Sequence, residues 1–204
     1  MNEKFFLLPE EKQQAILNAG YRVFSQNSYK KSPMHEIADA AGISKGLLFY
    51  YFHNKKELYL FLWETCAQLT IRELTQSGCY QRQELFDAMY LGMQVKIRLM
   101  RQYPDLGAFV VSAFYETDPE VCGDIQKSIE KYAAFRENVK LLNFNAEQFV
   151  PGIDPKMMYE DMYRSSVGYL WARFQQGRLD VDEMAGDFMR MLAFWKEIYQ
   201  KKGK

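Results

Sequence analysis

Three observations in the sequence predict an all-α protein of about nine helices. Apolar residues recur at spacings of three and four, and no stretch of five shows the strict alternation of a half-buried strand. Pro9, Pro33, Pro104, Pro119 and Pro155 each precede such a run, where a missing N–H costs nothing and a fixed φ suits the first turn. Gly78 and Gly177 fall where runs end, in the place that favours a left-handed residue.

Taken in order, the first helix covers 10–25, with Ala15, Ile16, Ala19, Val23 and Phe24 as its apolar stripe. Two short helices follow over 33–52, around Gly42. A longer one carries Leu58, Phe61, Leu62, Thr65 and Leu69, and the next Leu85, Met89, Met93, Ile97 and Met100. After Pro104 comes a shorter stripe, Leu106, Phe109, Val110 and Ala113. Asp118-Pro119-Glu120 and Asp154-Pro155 each set a capping carboxylate before a proline, at the positive end of a helix dipole. They start helices striped by Val121, Ile125, Ile129, Tyr132 and Val139, and by Met158, Met162, Ser165, Tyr169 and Leu170. Pro151-Gly152 reads as a loop, and Met184, Phe188, Met191, Leu192 and Trp195 mark the last helix.

Composition narrows the class. With 204 residues, 48% of them hydrophobic, the chain can bury a sizeable core without metals or disulfides. Three cysteines without a C-x-x-C pair suit a reducing cytosol. The longest uncharged apolar stretch, Leu106 to Tyr115, is about half of what a membrane span needs, and the N-terminal apolar run is too short for a signal peptide, so a cytoplasmic protein away from membranes is expected. His35-Glu36-Ile37-Ala38-Asp39 approaches a zinc-protease signature, but Asp39 stands where a second imidazole is required. With neither a nucleophile elbow nor a phosphate-binding glycine loop, the chain implies no metal, no cofactor and no enzyme.

The most informative segment is Pro33-Met-His-Glu-Ile-Ala-Asp-Ala-Ala-Gly-Ile-Ser-Lys-Gly-Leu-Leu-Phe-Tyr-Tyr-Phe52. Ile37, Ala38 and Ala41 share a face, Gly42 permits a sharp turn and Ile43 plugs the corner, while Leu48 with Tyr51 or Phe52 turns back inward. Ala38 must be small where the helices cross, and Ser44 caps the second helix. That leaves Lys45, Gly46, Leu47 and Tyr50 outward, the set a recognition helix offers to a major groove. The formal net charge of zero hides an asymmetry. Residues 20–56 hold six basic residues against Glu36 and Asp39, a window of +4, leaving 20 basic and 24 acidic residues, −4, for the rest.

Helix 10–25, the hairpin, and Asn54-Lys55-Lys56-Glu57-Leu58 resemble the N-terminal domain of the TetR/AcrR family of bacterial transcriptional regulators. The pattern is carried by Ile37-Ala38, Ala41-Gly42-Ile43-Ser44-Lys45-Gly46, Leu48, Tyr51-Phe52, Lys55 and Glu57-Leu58, with Phe24 and Tyr29 in register upstream. The resemblance implies a helix-turn-helix DNA-binding domain over 10–70 and an effector-binding and dimerisation domain over 71–204. Ser28, Leu47 and Phe49 depart from the residues common in the family; Phe49 lacks a hydroxyl that often meets a phosphate, and Leu47 could instead meet a thymine methyl.

DNA contacts are accordingly expected from Ser32, His35, Ser44, Lys45, Gly46, Leu47, Tyr50, Tyr51 and Lys55. Lys55 would join the N-terminus of the next helix on a phosphate. Ser32 suits either a helix cap or a phosphate, and Tyr51 either DNA or the core. Met89, Met93, Phe109, Phe114, Tyr115, Tyr132, Trp171 and Phe174 suit an apolar effector pocket or an ordinary helical core. Helices 155–176 and 181–200, with Ser165, Ser166 and Gly168 allowing close approach, imply by resemblance a homodimer interface; as sequence they equally suit a monomer's core. Two functional classes stay open at this level. One is a repressor that a small apolar or aromatic effector releases from a palindromic duplex operator; the other is a helical ligand carrier whose hairpin is structural.

Overall fold

A computed structural model of the chain describes residues 3–138, 145–177 and 180–201, the side chains of 134–138 excepted. Val139 lies outside them. Among the described residues nine α-helices follow one another: α1 Glu10–Gln26, α2 Met34–Ala40, α3 Lys45–Tyr51, α4 Lys55–Gln76, α5 Leu85–Gln102, α6 Leu106–Phe114, α7 Cys122–Asn138, α8 Pro155–Gln175 and α9 Val181–Tyr199. Short 3-10 turns cover Glu3–Leu7, Cys79–Gln81 and Ala146–Gln148. Pairing of extended chain among these residues amounts to an isolated antiparallel bridge, Phe149 to Gln200. The all-α expectation holds.

Helix ends follow the local chemistry. Asp154 Oδ1 accepts the Lys156 N–H at 2.9 Å, with Pro155 in the first turn, and Asp180 Oδ1 accepts those of Asp182 at 3.0 Å and Glu183 at 2.8 Å. Asp118 caps in the same way: its carboxylate accepts the Glu120 N–H at 3.0 Å, and its carbonyl accepts the Val121 and Cys122 N–H groups at 3.1 and 2.9 Å, so the first turn is partly 3-10 and regular α7 begins at Cys122. Pro9 and Pro33 occupy the cap position itself. Gly78 and Gly177 adopt φ of 72° and 64°, as a chain leaving a helix through the left-handed region requires.

The chain forms two compact units. The first joins residues up to Leu69 with Gln102–Lys131, so α6 and the start of α7 share the core of α1 to α4 and a unit boundary does not fall at residue 70 alone. Its centre is aromatic: the Phe24 ring meets Tyr59 edge-on at 4.9 Å, and Tyr59 meets Phe109 at 5.4 Å. Burial pushes the Tyr21 and Tyr59 phenols up, because their anions would lose hydration there. At Gly20 a Cβ would come within 2.6 Å of Leu62 Cδ1, so the buried Leu62 side chain of α4 occupies the space a larger residue on α1 would need.

The second unit joins Thr70–Arg101 with the residues from Tyr132 on. One apolar cluster gathers Leu85, Phe86, Phe149, Met158, Met162 and Trp195; another gathers Ile97, Met100 and Met184. Between α8 and α9, the Tyr169 hydroxyl and the Arg173 guanidinium both donate to Asp187, and Arg173 also meets Glu183 at 3.0 Å. No helix among the described residues is long and apolar enough to cross a membrane. Cys66, Cys79 and Cys122 are free thiols.

Candidate nucleic-acid interface

The turn between α2 and α3 closes as the residue types demand. Gly42 has φ 67°, donates its N–H to the Asp39 carbonyl, and lets the Ile43 N–H reach back to the Ala38 carbonyl at 3.0 Å. These two bonds form a Schellman closure, satisfying carbonyls that the end of α2 would leave bare. Ser44 Oγ then accepts the Leu47 N–H at 3.1 Å and caps α3. Ile37, Ala38, Leu48 and Phe52 are fully buried, Ala38 among them as the small residue of α2. With that face buried, Lys45, Gly46, Leu47 and Tyr50 are exposed, as is His35 on α2.

Besides Ser44, three more of the expected contact residues have structural duties. Tyr51 is buried, its ring 6.1 Å from that of Phe5, so of the two uses open to it the core prevails. Ser32 is also buried and does not cap α2: its hydroxyl donates to the Ser28 carbonyl one turn back at 3.0 Å, a local bond that competes with capping. Lys55 Nζ donates to the Lys30 carbonyl at 2.8 Å and the Ser32 carbonyl at 3.4 Å, and lies 5.0 Å from the centre of the Tyr29 ring. Two of its three protons therefore hold the loop between α1 and α2 against the start of α4.

That loop is also tied from behind. The Tyr29 N–H donates to Glu116 Oε2 at 2.7 Å, while Glu116 Oε1 accepts the Thr117 and Asp118 N–H groups at 2.9 and 3.0 Å. Lys56 meets Asp124 at 2.8 Å and holds that carboxyl below the usual carboxylate range. The positive window thus loses part of Lys56 to an ion pair, while Arg22, Lys30, Lys31 and Lys45 stay exposed.

Residue-type reasoning passes over Lys4. It is exposed, with its ammonium 5.5 Å from the centre of the Tyr50 ring. A hydrogen bond to the Tyr50 side chain raises its pKa. The available signal was aromatic: Phe5 follows directly, and its deep burial fixes where Lys4 must lie.

The effector-pocket candidates divide between the units. Phe109 is fully buried in the first unit's core beside Tyr21, Phe24 and Tyr59 and is a packing residue there; Phe114 and Tyr115 are exposed in that unit, their rings 5.1 Å apart. In the second, Met89 packs with the Met162 cluster and Met93 with the Met184 cluster, Trp171 stacks on Phe174 at 5.8 Å, and Tyr132 is half-buried. Among the described residues, nothing of this chain lies within 4 Å of where a Cβ at position 168 would stand.

Residues 16–61 match the family model described as bacterial regulatory proteins, tetR family. Among curated proteins, the transcriptional regulator AcrR of Shigella flexneri is 36% identical over 55 residues, 27% of this chain and 26% of that one. The probable acrEF/envCD operon repressor of Escherichia coli K12 is 27% identical over 95 residues, 44% of this chain and 42% of its own. These matches span less than half the length of either relative. The fold reaches further. The regulator FadR of Bacillus subtilis, solved with stearoyl-CoA, superposes with a TM-score of 0.66 at 16% identity, over 89% of this chain and 96% of that one. SmeT, repressor of a Stenotrophomonas maltophilia efflux pump, superposes with a TM-score of 0.59 at 18% identity, over 95% and 94%. The family's model thus covers the hairpin and its flanking helices, and the fold is similar to that of a solved TetR-family regulator over nearly the whole length.

Proposed function

We propose that the chain is a DNA-binding transcriptional repressor, acting as a homodimer that a small apolar effector releases from a palindromic operator. The observation that carries this reading is the capped α3, whose inner face is buried and whose outer residues Lys45, Gly46, Leu47 and Tyr50 stand exposed among basic flanks. Such a helix enters a major groove, and two of them in a dimer meet half-sites about 34–36 Å apart. His35 and Ser44 extend the contact set, while Lys55 and Ser32 shape the loop that presents it. A pocket in the second unit suits the effector, and α8 with α9 suits the dimer interface. The structural neighbours support this: SmeT has been solved with triclosan, a largely apolar molecule, and FadR with stearoyl-CoA, which carries a long apolar acyl chain.

Selection from random duplexes at low salt tests the reading. An enriched inverted repeat is the expected outcome, and titration of the bound complex with triclosan and stearoyl-CoA then probes release. Absence of any enriched repeat overturns the repressor. Within a selected operator, Tyr50→Ala changes preference at particular bases, and discrimination of about 1–3 kcal/mol at each such base should disappear.

A further inference from the structure

The 3-10 turn Glu3–Leu7 is fastened to the back of the hairpin by Phe5, which is 1% exposed. Its ring lies 5.2 Å from Phe52, which closes α3, and 5.3 Å from Phe61 on α4. With its neighbour fixed in this way, the backbone at Lys4 is anchored. Its ammonium stands beside Tyr50, itself 44% exposed on the outer face of α3. Tyr50 lies near the C-terminal end of α3, one turn past Lys45 and Gly46, and so at the margin of the base-reading face. The flank beside Tyr50 therefore faces the wall of the groove, where phosphates run. A lysine there is a compact cation with rotatable donors, suited to a phosphate and indifferent to sequence.

We propose that Lys4 is a DNA-contacting residue that takes a backbone phosphate at the edge of the α3 groove, with Phe5 as the positioning residue that holds it there. This rests on the hairpin's being a DNA reader, and it starts the interface upstream of α1. The contact adds affinity without specificity, complementing a Tyr50 that discriminates bases.

Salt titration of the full chain on a random-sequence duplex tests it, because each phosphate neutralised contributes about 0.9 to the slope of log K against log salt on duplex DNA. Lys4→Gln is expected to reduce the slope by about that amount per subunit, and Lys4→Arg to keep it. Phe5→Ser should lose the same increment while retaining Lys4, and Phe5→Leu should restore it by keeping an apolar anchor. Lys156→Gln, removing an exposed charge at the start of α8, should leave the slope alone. An unchanged slope in Lys4→Gln beside a salt-dependent wild type overturns the contact, whatever Phe5→Ser does to folding. A Phe5→Ser protein that folds and keeps the full slope overturns the positioning role. A wild type with no salt-dependent binding removes the DNA reading and the contact together.

Discussion

Two glycines of the first unit are required for opposite reasons. Gly42 has open space around its missing Cβ, so only its positive φ resists a side chain; Gly42→Ala should cost about 1–2 kcal/mol through backbone strain. Gly20 has ordinary helical backbone, but its substituent would run into Leu62, which is fully buried; Gly20→Ala should cost about 1–3 kcal/mol through overpacking. The two mechanisms separate in the double variant with Leu62→Ala, which relieves Gly20→Ala and leaves Gly42→Ala unrelieved in denaturant melts. Lys55 makes a third case. Because its ammonium bonds two loop carbonyls, Lys55→Ala should lower unfolding free energy by about 1 kcal/mol besides weakening DNA binding. A variant that binds poorly but melts like wild type would assign Lys55 to phosphate alone. This double use is invisible in a lysine's sequence position, since the carbonyls it meets lie 23 and 25 residues away.

At the scale of elements, the hairpin was legible because its instructions are local: a glycine for the turn, a serine for the cap, apolar residues at helical spacing. Ser44→Ala should remove about 1 kcal/mol and fray α3 at its reading end. The ties between elements were not legible, because they join residues distant in sequence. Glu116 is the clearest, spanning 87 residues to reach the Tyr29 N–H. Glu116→Ala should destabilise by about 1–3 kcal/mol, whereas Glu116→Gln keeps an acceptor and should lose less, as thermal melts would report. On α8 and α9, the Tyr169 hydroxyl and then Arg173 hold the Asp187 carboxyl below the usual range. A folded pKa below the unfolded value near 3.9 stabilises above roughly pH 4 and is lost as pH falls through the folded value. Wild type and Asp187→Asn should therefore melt apart at pH 7 and converge in acid; a constant gap across pH would refute the linkage.

Across the whole molecule, the helical class and the placement of most helices followed from periodicity and punctuation, while the grouping of those helices did not. Nothing in the stripe Leu106, Phe109, Val110 and Ala113 says that it completes the core of Phe24 and Tyr59, because helical spacing reveals which face is apolar but not what it meets. The aromatic-rich effector candidates show the same limit, with Phe109 spent on that core. A fragment ending at residue 70 should accordingly expose Phe24, Tyr59 and their neighbours and show far less helix by circular dichroism than its α1–α4 content predicts. A cooperative melt for that fragment would contradict this. The discontinuity of the first unit also bears on how such proteins can be recombined. A DNA-reading head transplanted onto another effector domain as a single contiguous gene segment would arrive without α6 and the turn that anchors Tyr29. Exchange between relatives therefore requires two joined crossovers, or a host whose own equivalent of residues 102–131 already fits the incoming aromatic core.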